Sequence, residues 1–493
     1  MYGLLFCCDN MVILPAKTKC MTAKLIVIAL YAIVIILIGI IGLRRTKSSK
    51  DFLLGGGNVG AWMSAFSYGT AYFSAVLFIG FAGKIGWGFG LSGLWIALFN
   101  AIVGVFVVWM LLGWRIKQVS LKYDIGTMSE FLEKRYGSPL LKLFSAIVIF
   151  IFLIPYSAAV FMGLSYLFEI SLGVPYVWIL AGMGIFTATY IVLGGYKSMA
   201  MIDTIFGIIM TLSVLLLLYF TLEKGGGAAN IIHNLHEIEP RLVSWVGPPG
   251  WWPLFALVFL TSVAPFAMPQ LVQKFYAIRD RRSIRIGAVA STIFAVLIGG
   301  VAYFMGSTTR VFINPESAPK VFMSGKPNFD QLMPELLTNV IPASLSVVIL
   351  LLILSASMST LASLVLISSS SFTRDFWKGF IRKNMPDAQI TAMMRFMSAF
   401  FVLLAVLFAA VELDVIVEIL GISWGAIGAF FLGPFVWGLF SERVNKTGAM
   451  VSGIGGLSIC LGLYLYGISS PEAGTIGMMA SLALNPIVSR LSK

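Results

Sequence analysis

Charge is what this chain has least of. Only 11% of its 493 residues are Asp, Glu, Lys or Arg, against roughly 25% in soluble globular chains. So few charges cannot clothe the water-facing surface of the three or so soluble domains that this length would otherwise imply. Histidine is rarer still, with two in all. His233 and His236 stand with Glu237 in an order that does not match HExxH, so a zinc centre is not expected there. Four cysteines, Cys7, Cys8, Cys20 and Cys460, crowd one end and leave one far away, which gives no disulfide framework. Gly55-Gly56-Gly57 lacks the Lys-Ser/Thr that a phosphate loop requires. No small-residue cleavage site follows residues 1–22, which read as an irregular tail with Met11 and Met21 as alternative starts. Ten-residue alternation of the outer-membrane barrel type is absent too.

What is abundant is apolar length. Hydrophobic residues make up 59% of the chain, and runs of about 20 recur from end to end, each able to cross a bilayer core. The pattern predicts an all-α polytopic membrane protein with about thirteen spans. They lie near 24–43, 61–83, 88–113, 141–170, 175–193, 200–222, 251–273, 286–308, 342–372, 395–412, 414–439, 447–467 and 472–489. Longer polar loops fall at 223–250 and 309–341. The net charge of +13 sits in short loops between spans rather than on a nucleic-acid-binding face. With the N-terminus outside and the C-terminus inside, 25 of the 34 basic residues fall on the cytoplasmic side, as the positive-inside rule requires.

Two spans are interrupted in the middle. Span 2 carries the small polar patch Ser67-Tyr68-Gly69-Thr70-Ala71-Tyr72-Phe73-Ser74, and span 7 carries Pro265 and Pro269 within Thr261–Gln270. Non-helical backbone at membrane depth is tolerated where it is buried in protein or lines a cavity. A pair of broken helices at matching places in two halves points to a transport site at an inverted-repeat interface. Here the breaks open two successive sets of five spans, residues 61–222 and 251–439. These follow a tail (1–23) and a leading helix (24–43), and precede two trailing helices (447–489). The plainer alternative is two kinked helices in an ordinary bundle.

Span 9 places Ala356, Ser359, Thr360 and Ser363 on one helical face. Hydroxyls and a nearby carbonyl are neutral oxygens that suit a hard monovalent cation. Carbonyls around Thr70 and Phe73, in the broken part of span 2, are candidates to complete the set. The competing reading is that small residues let helices approach and that the hydroxyls bond back to the preceding turn. Asp203 is the clearest carboxylate within an apolar run. It is read either as a partner for a cation leaving inward or as a buried cap. Tyr156, beside Pro155, either faces the solute or packs on a neighbour. Glu418 and Asp414 are given no role.

At these residues the chain resembles the sodium:solute symporter family. The likeness is carried by Thr127-Met128-Ser129-Glu130-Phe131-Leu132-Glu133-Lys134-Arg135-Tyr136, by Gly194-Gly195-Tyr196-Lys197 through Asp203, by Pro269–Ala277, and by Ser357-Met358-Ser359-Thr360-Leu361. The resemblance implies a leucine-transporter-type inverted-repeat bundle with an added leading helix and two trailing ones. It also implies a sodium site where spans 2 and 9 meet, formed by Thr70, Phe73, Ala356, Ser359 and Thr360. Asp203 matches an aspartate that the family places near the inner sodium path. Some members hold a second ion with two serines one turn further along span 9. Ala362 and Ser363 stand there here, so one hydroxyl is missing.

Candidates for facing the solute are Tyr72, Ser74, Tyr156, Thr261, Phe266 and Met268. Proline carriers resemble the chain at Tyr156 but have aspartate at the position of Tyr72 and tryptophan at that of Thr261. Sugar carriers have polar residues where Val76 and Leu77 stand. An apolar pocket fits a small amino or carboxylic acid. The expectation is thus a sodium-coupled symporter of the cell membrane, with sodium, a small organic solute and lipid as its partners. It is not expected to be an enzyme. A proton-coupled carrier using Asp203, and an uncoupled sensor or channel of the same fold, are the alternatives.

Overall fold

The computed structural model describes residues 16–46, 48–323, 325–340, 342 and 345–492. Cys7, Cys8, Lys47 and the starts Met1 and Met11 lie outside them. A long leading helix, α1 (Ala16–Arg45), is followed by the short α2 (Ser49–Leu54). The first broken span starts with α3 (Ala61–Tyr72), which at 12 residues is about 18 Å long and too short to cross a core of about 30 Å alone. Phe73 leaves the helix at φ −103°, ψ 91°. The chain resumes through a π-helical turn, Leu77–Phe81, into α4 (Ala82–Phe89).

Gly90, at φ 60°, then permits a turn that no side chain would favour, because the Leu242 carbonyl sits 2.3 Å from where its Cβ would be. Beyond it run α5 (Leu94–Phe99), a π-helical stretch and α6 (Trp114–Tyr123). A reciprocal capping box, with Thr127 accepting from the Glu130 N–H and the Glu130 carboxylate taking the Thr127 N–H, starts α7 (Met128–Tyr136). Next come α8 (Pro139–Leu172), α9 (Tyr176–Leu193), α10 (Tyr196–Lys224) and α11 (Ala228–Ile238).

The second broken span comprises α12 (Trp251–Val263), a tight turn at Ala264–Phe266 and α13 (Pro269–Ala277). The prolines act where the sequence places them: Pro265 in the tight turn and Pro269 at the first position of α13, where a missing N–H costs nothing. After α14 (Arg281–Phe312), capped by Asp280, a two-strand hairpin (β1, Phe322–Met323; β2, Lys326–Pro327) and α15 (Phe329–Glu335) occupy the long loop. The remaining helices are α16 (Ser346–Ser370), α17 (Asp387–Val411), α18 (Ile416–Phe440), α19 (Lys446–Leu465) and α20 (Ser470–Leu491).

Among the described residues, eleven helical stretches are long and apolar enough to cross a membrane. The figure is lower than thirteen for physical reasons. The half-helix α3 stands apart, its continuation merges with the next span as Leu77–Tyr123, and α20 is diluted by Ser, Gly and Pro. The leading helix also begins earlier than residue 24, at Ala16.

At the centre, α16 is enclosed on all sides, with residues 352–371 buried without interruption. It packs against α3, α8 and α10. α19 and α20 pack on each other and on α18. The start of the first broken span and the end of the second are tied by backbone. The Val59 N–H donates to the Ala277 carbonyl at 3.0 Å, and the Arg279 N–H donates to the Val59 carbonyl at 2.9 Å.

Candidate functional site

A helix end leaves its last carbonyls without intrahelical donors. Because α3 stops at Tyr72, the carbonyls of Thr70 and Ala71 face the central helix α16. The Thr360 hydroxyl donates toward them at 3.2 and 3.4 Å, and toward its own Ala356 carbonyl at 3.1 Å. One turn away, the hydroxyls of Thr70 and Ser359 lie 2.7 Å apart. Thr70 also donates to the Phe66 carbonyl at 2.7 Å, which leaves Ser359 as the donor between the two. Thr70, Ala356, Ser359 and Thr360 therefore meet in one buried cluster of neutral oxygens. Phe73 is the residue at which α3 ends, and it is buried beside them. Such a donor set suits a monovalent cation and is weak enough to release it.

The candidate solute residues divide into two groups. The Tyr72 hydroxyl donates to the Thr261 carbonyl at 2.7 Å, linking the two broken spans. Thr261 and its neighbour Ser262 both donate to the Asn100 side-chain carbonyl, at 2.8 and 2.9 Å. The Tyr72 ring lies 4.6 Å from Phe73 and 6.0 Å from Trp424, and Trp424 lies 5.8 Å from Tyr156, edge-on. Ser74 accepts from the Val76 N–H at 3.2 Å and neighbours the Tyr156 hydroxyl. Phe266 and Met268 sit in the break of span 7, and that break packs on α18.

Asp203 is fully buried on α10. It accepts from the Ser67 hydroxyl of α3, and its Oδ1 has no protein partner. Sequence reasoning missed its basic neighbour. Lys274 stands at the end of an apolar run and reads there as a loop charge, yet its side chain is enclosed at 0% exposure, with Nζ 3.9 Å from Asp203 Oδ2. Ser67 was named only as part of the polar patch in span 2, and Asn100 and Trp424 were missed. Asn100 was visible as an amide in an apolar run, whereas Trp424 lies in a helix apolar on every side. Glu418, given no role, pairs with Lys84 at 2.7 Å and accepts from the Ser470 N–H and hydroxyl. His233 and Glu237 form an exposed pair at 3.2 Å on α11.

The family model for sodium:solute symporters matches residues 52–456. The chain belongs to that family. It is 29% identical over 439 residues to the high-affinity proline transporter PutP of Bacillus subtilis, covering 85% of this chain and 88% of the relative. It is likewise 29% identical over 443 residues to the sodium/proline symporter of Haemophilus influenzae, covering 87% and 85%. Among solved structures, a sodium-coupled sialic acid symporter in a substrate-bound, outward-open state superposes with a TM-score of 0.78. That superposition covers 95% of this chain and 97% of the other at 19% identity, a likeness of fold. The protein is a sodium-coupled solute symporter of the cell membrane, multi-pass, and not an enzyme.

Proposed function

We propose that this symporter moves a small amino acid or monocarboxylate inward by alternating access, with sodium held between α3 and α16 by Thr70, Phe73, Ala356, Ser359 and Thr360. The observation that carries the reading is the Thr360 hydroxyl lying against the carbonyls that the break in α3 exposes. Sodium inserted among these oxygens draws the end of α3 onto α16, and the order so gained shapes the neighbouring aromatic pocket of Tyr72, Phe73, Tyr156 and Trp424. With the rings in mutual contact, a solute enters by parting them. Thr261, Ser74, Phe266 and Met268 complete the wall. That curated relatives are named for proline favours an amino acid of similar size, while Tyr72 and Thr261 make this pocket a different one.

The inferred frame has thirteen spans arranged as a 5+5 inverted repeat with one leading and two trailing helices, N-terminus outside and C-terminus inside. Its support is the pair of breaks five spans apart and the distribution of basic residues. Sodium leaves inward past Asp203 and Ser363. The driving force is adequate: about 2.3 kcal/mol per charge across about 100 mV, and roughly 1.4 kcal/mol for a tenfold gradient.

The test is a thermal-shift screen of purified protein against amino acids, monocarboxylates and sugars, with and without sodium. A solute that stabilises only when sodium is present supports the reading, since it shows solute and ion linked on the folded state. Stabilisation indifferent to sodium but responsive to lowered pH would replace it with proton coupling.

A further inference from the structure

Lys274 and Asp203 are the one oppositely charged pair buried in the interior of the spans among the described residues. Charges at such depth are costly and are kept where they serve transport. Their arrangement is specific. Lys274 stands on α13, the inner half of the second broken span, and reaches across to Ser67 on α3, the inner half of the first. Its ammonium donates to Ser67 Oγ and to Ser363 Oγ, both at 2.9 Å. Asp203 Oδ2 lies 3.9 Å from Nζ, and the Tyr196 ring closes the remaining side at 5.2 Å. Ser67 in turn donates to Asp203, and Ser363 donates to the Ser359 carbonyl at 3.2 Å. Lys274 Nζ thus sits where a free cation would sit, inside a set of oxygens made by two hydroxyls and a carboxylate. One residue, Ser359, joins this set to the candidate sodium site.

We propose that Lys274 is a tethered counter-cation that fills the Asp203 site and so fixes the symporter at one sodium ion per cycle. With the ammonium in place the Asp203–Lys274 pair is neutral, and the cluster of Thr70, Ala356, Ser359 and Thr360 is neutral as well. The loaded core therefore takes up a single extra charge. Removing the ammonium leaves Ser67, Ser363 and Asp203 as an oxygen set with an uncompensated negative charge, which sodium from solution then occupies. Lys274 is a positioning residue in this scheme and sets stoichiometry without touching the solute. The inference rests on the sodium reading above.

The experiment counts ions without needing transport. Stability of the purified, full-length protein is measured against sodium concentration, and at saturating sodium its dependence on the logarithm of concentration gives the number of ions bound by the folded state. The wild type is expected to bind one. Lys274→Gln should bind two, Lys274→Arg should stay at one, and Asp203→Asn combined with Lys274→Gln should return to one. Two ions in the wild type, or one in a folded Lys274→Gln, overturns the proposal. A count of two in the wild type overturns it even if Lys274→Gln does not fold. No sodium dependence in the wild type would instead overturn the sodium reading beneath it.

Discussion

The Tyr72 hydroxyl, at the end of one broken span, donates to the Thr261 carbonyl at the break of the other, 2.7 Å away. This bond ties the two discontinuous helices together near their breaks, while backbone pairing of Val59 with Ala277 and Arg279 ties the start of the first to the end of the second. The space for it is made by Gly104, where an added Cβ would lie 2.6 Å from the Tyr72 hydroxyl and 3.3 Å from the Ser262 carbonyl.

Gly104→Ala should therefore push Tyr72 off Thr261. Loss of one such hydrogen bond is worth about 1 kcal/mol, or roughly fivefold in apparent solute affinity. Uptake kinetics in proteoliposomes read this as a raised KM with sodium activation little changed. A wild-type KM would detach Tyr72 from the solute.

Asp203→Asn leaves the Lys274 ammonium buried without its counter-charge. Breaking one side of a buried pair costs roughly 3–5 kcal/mol, whereas neutralising both sides is often close to neutral. The single variant should lose thermal stability, and sodium-driven accumulation should suffer more than solute binding. Adding Lys274→Gln should restore most of the stability. Wild-type uptake by Asp203→Asn would leave the carboxylate a structural cap.

Asp330, in the long loop ahead of α16, caps the start of α18 by accepting from the Ile416 N–H at 2.9 Å. Burial pushes its carboxyl from 3.8 up to about 7, helped by Asp414 and Glu412 and opposed by the Ile416 N–H and Lys84. The folded protein holds this proton where the unfolded chain has lost it. The contribution to stability is thus full below the unfolded value and is lost as pH rises to about 7. Thermal stability of the wild type should carry a component that falls over that window. Asp330→Asn should lack it, and an identical pH profile in the two proteins would remove Asp330 as its source.

Orientation is testable at exposed positions. Single cysteines at Arg282 and Glu316, at opposite ends of the α14 region, should react with an impermeant reagent from opposite sides, Arg282 only from the cytoplasm. Outside labelling at Arg282 would invert the topology.

The breaks were legible because they break rules. Hydroxyls and glycine interrupt an apolar run at Ser67–Ser74, and two prolines interrupt another at Pro265 and Pro269. Ser359 and Thr360 were legible because they share a helical face, and that face does meet the open end of α3. Lys274 was not, because a lysine at the end of an apolar run reads as a loop charge obeying the positive-inside rule. Only packing reveals that α13 carries it under Tyr196 and against Asp203. Trp424 escaped for a different reason. α18 is apolar around its whole circumference, so no face of it stands out in the sequence, and which aromatic meets Tyr72 and Tyr156 is a tertiary fact.

Sodium activation of uptake in the Ser359→Ala, Thr360→Ala double variant tests the central claim most directly. Those two hydroxyls are the side-chain oxygens that α16 presents to the end of α3. The sodium concentration for half-maximal uptake should rise by about tenfold or more, the loss of roughly 1.4 kcal/mol of ion binding, with membrane insertion intact. An unchanged sodium requirement would contradict a site between α3 and α16.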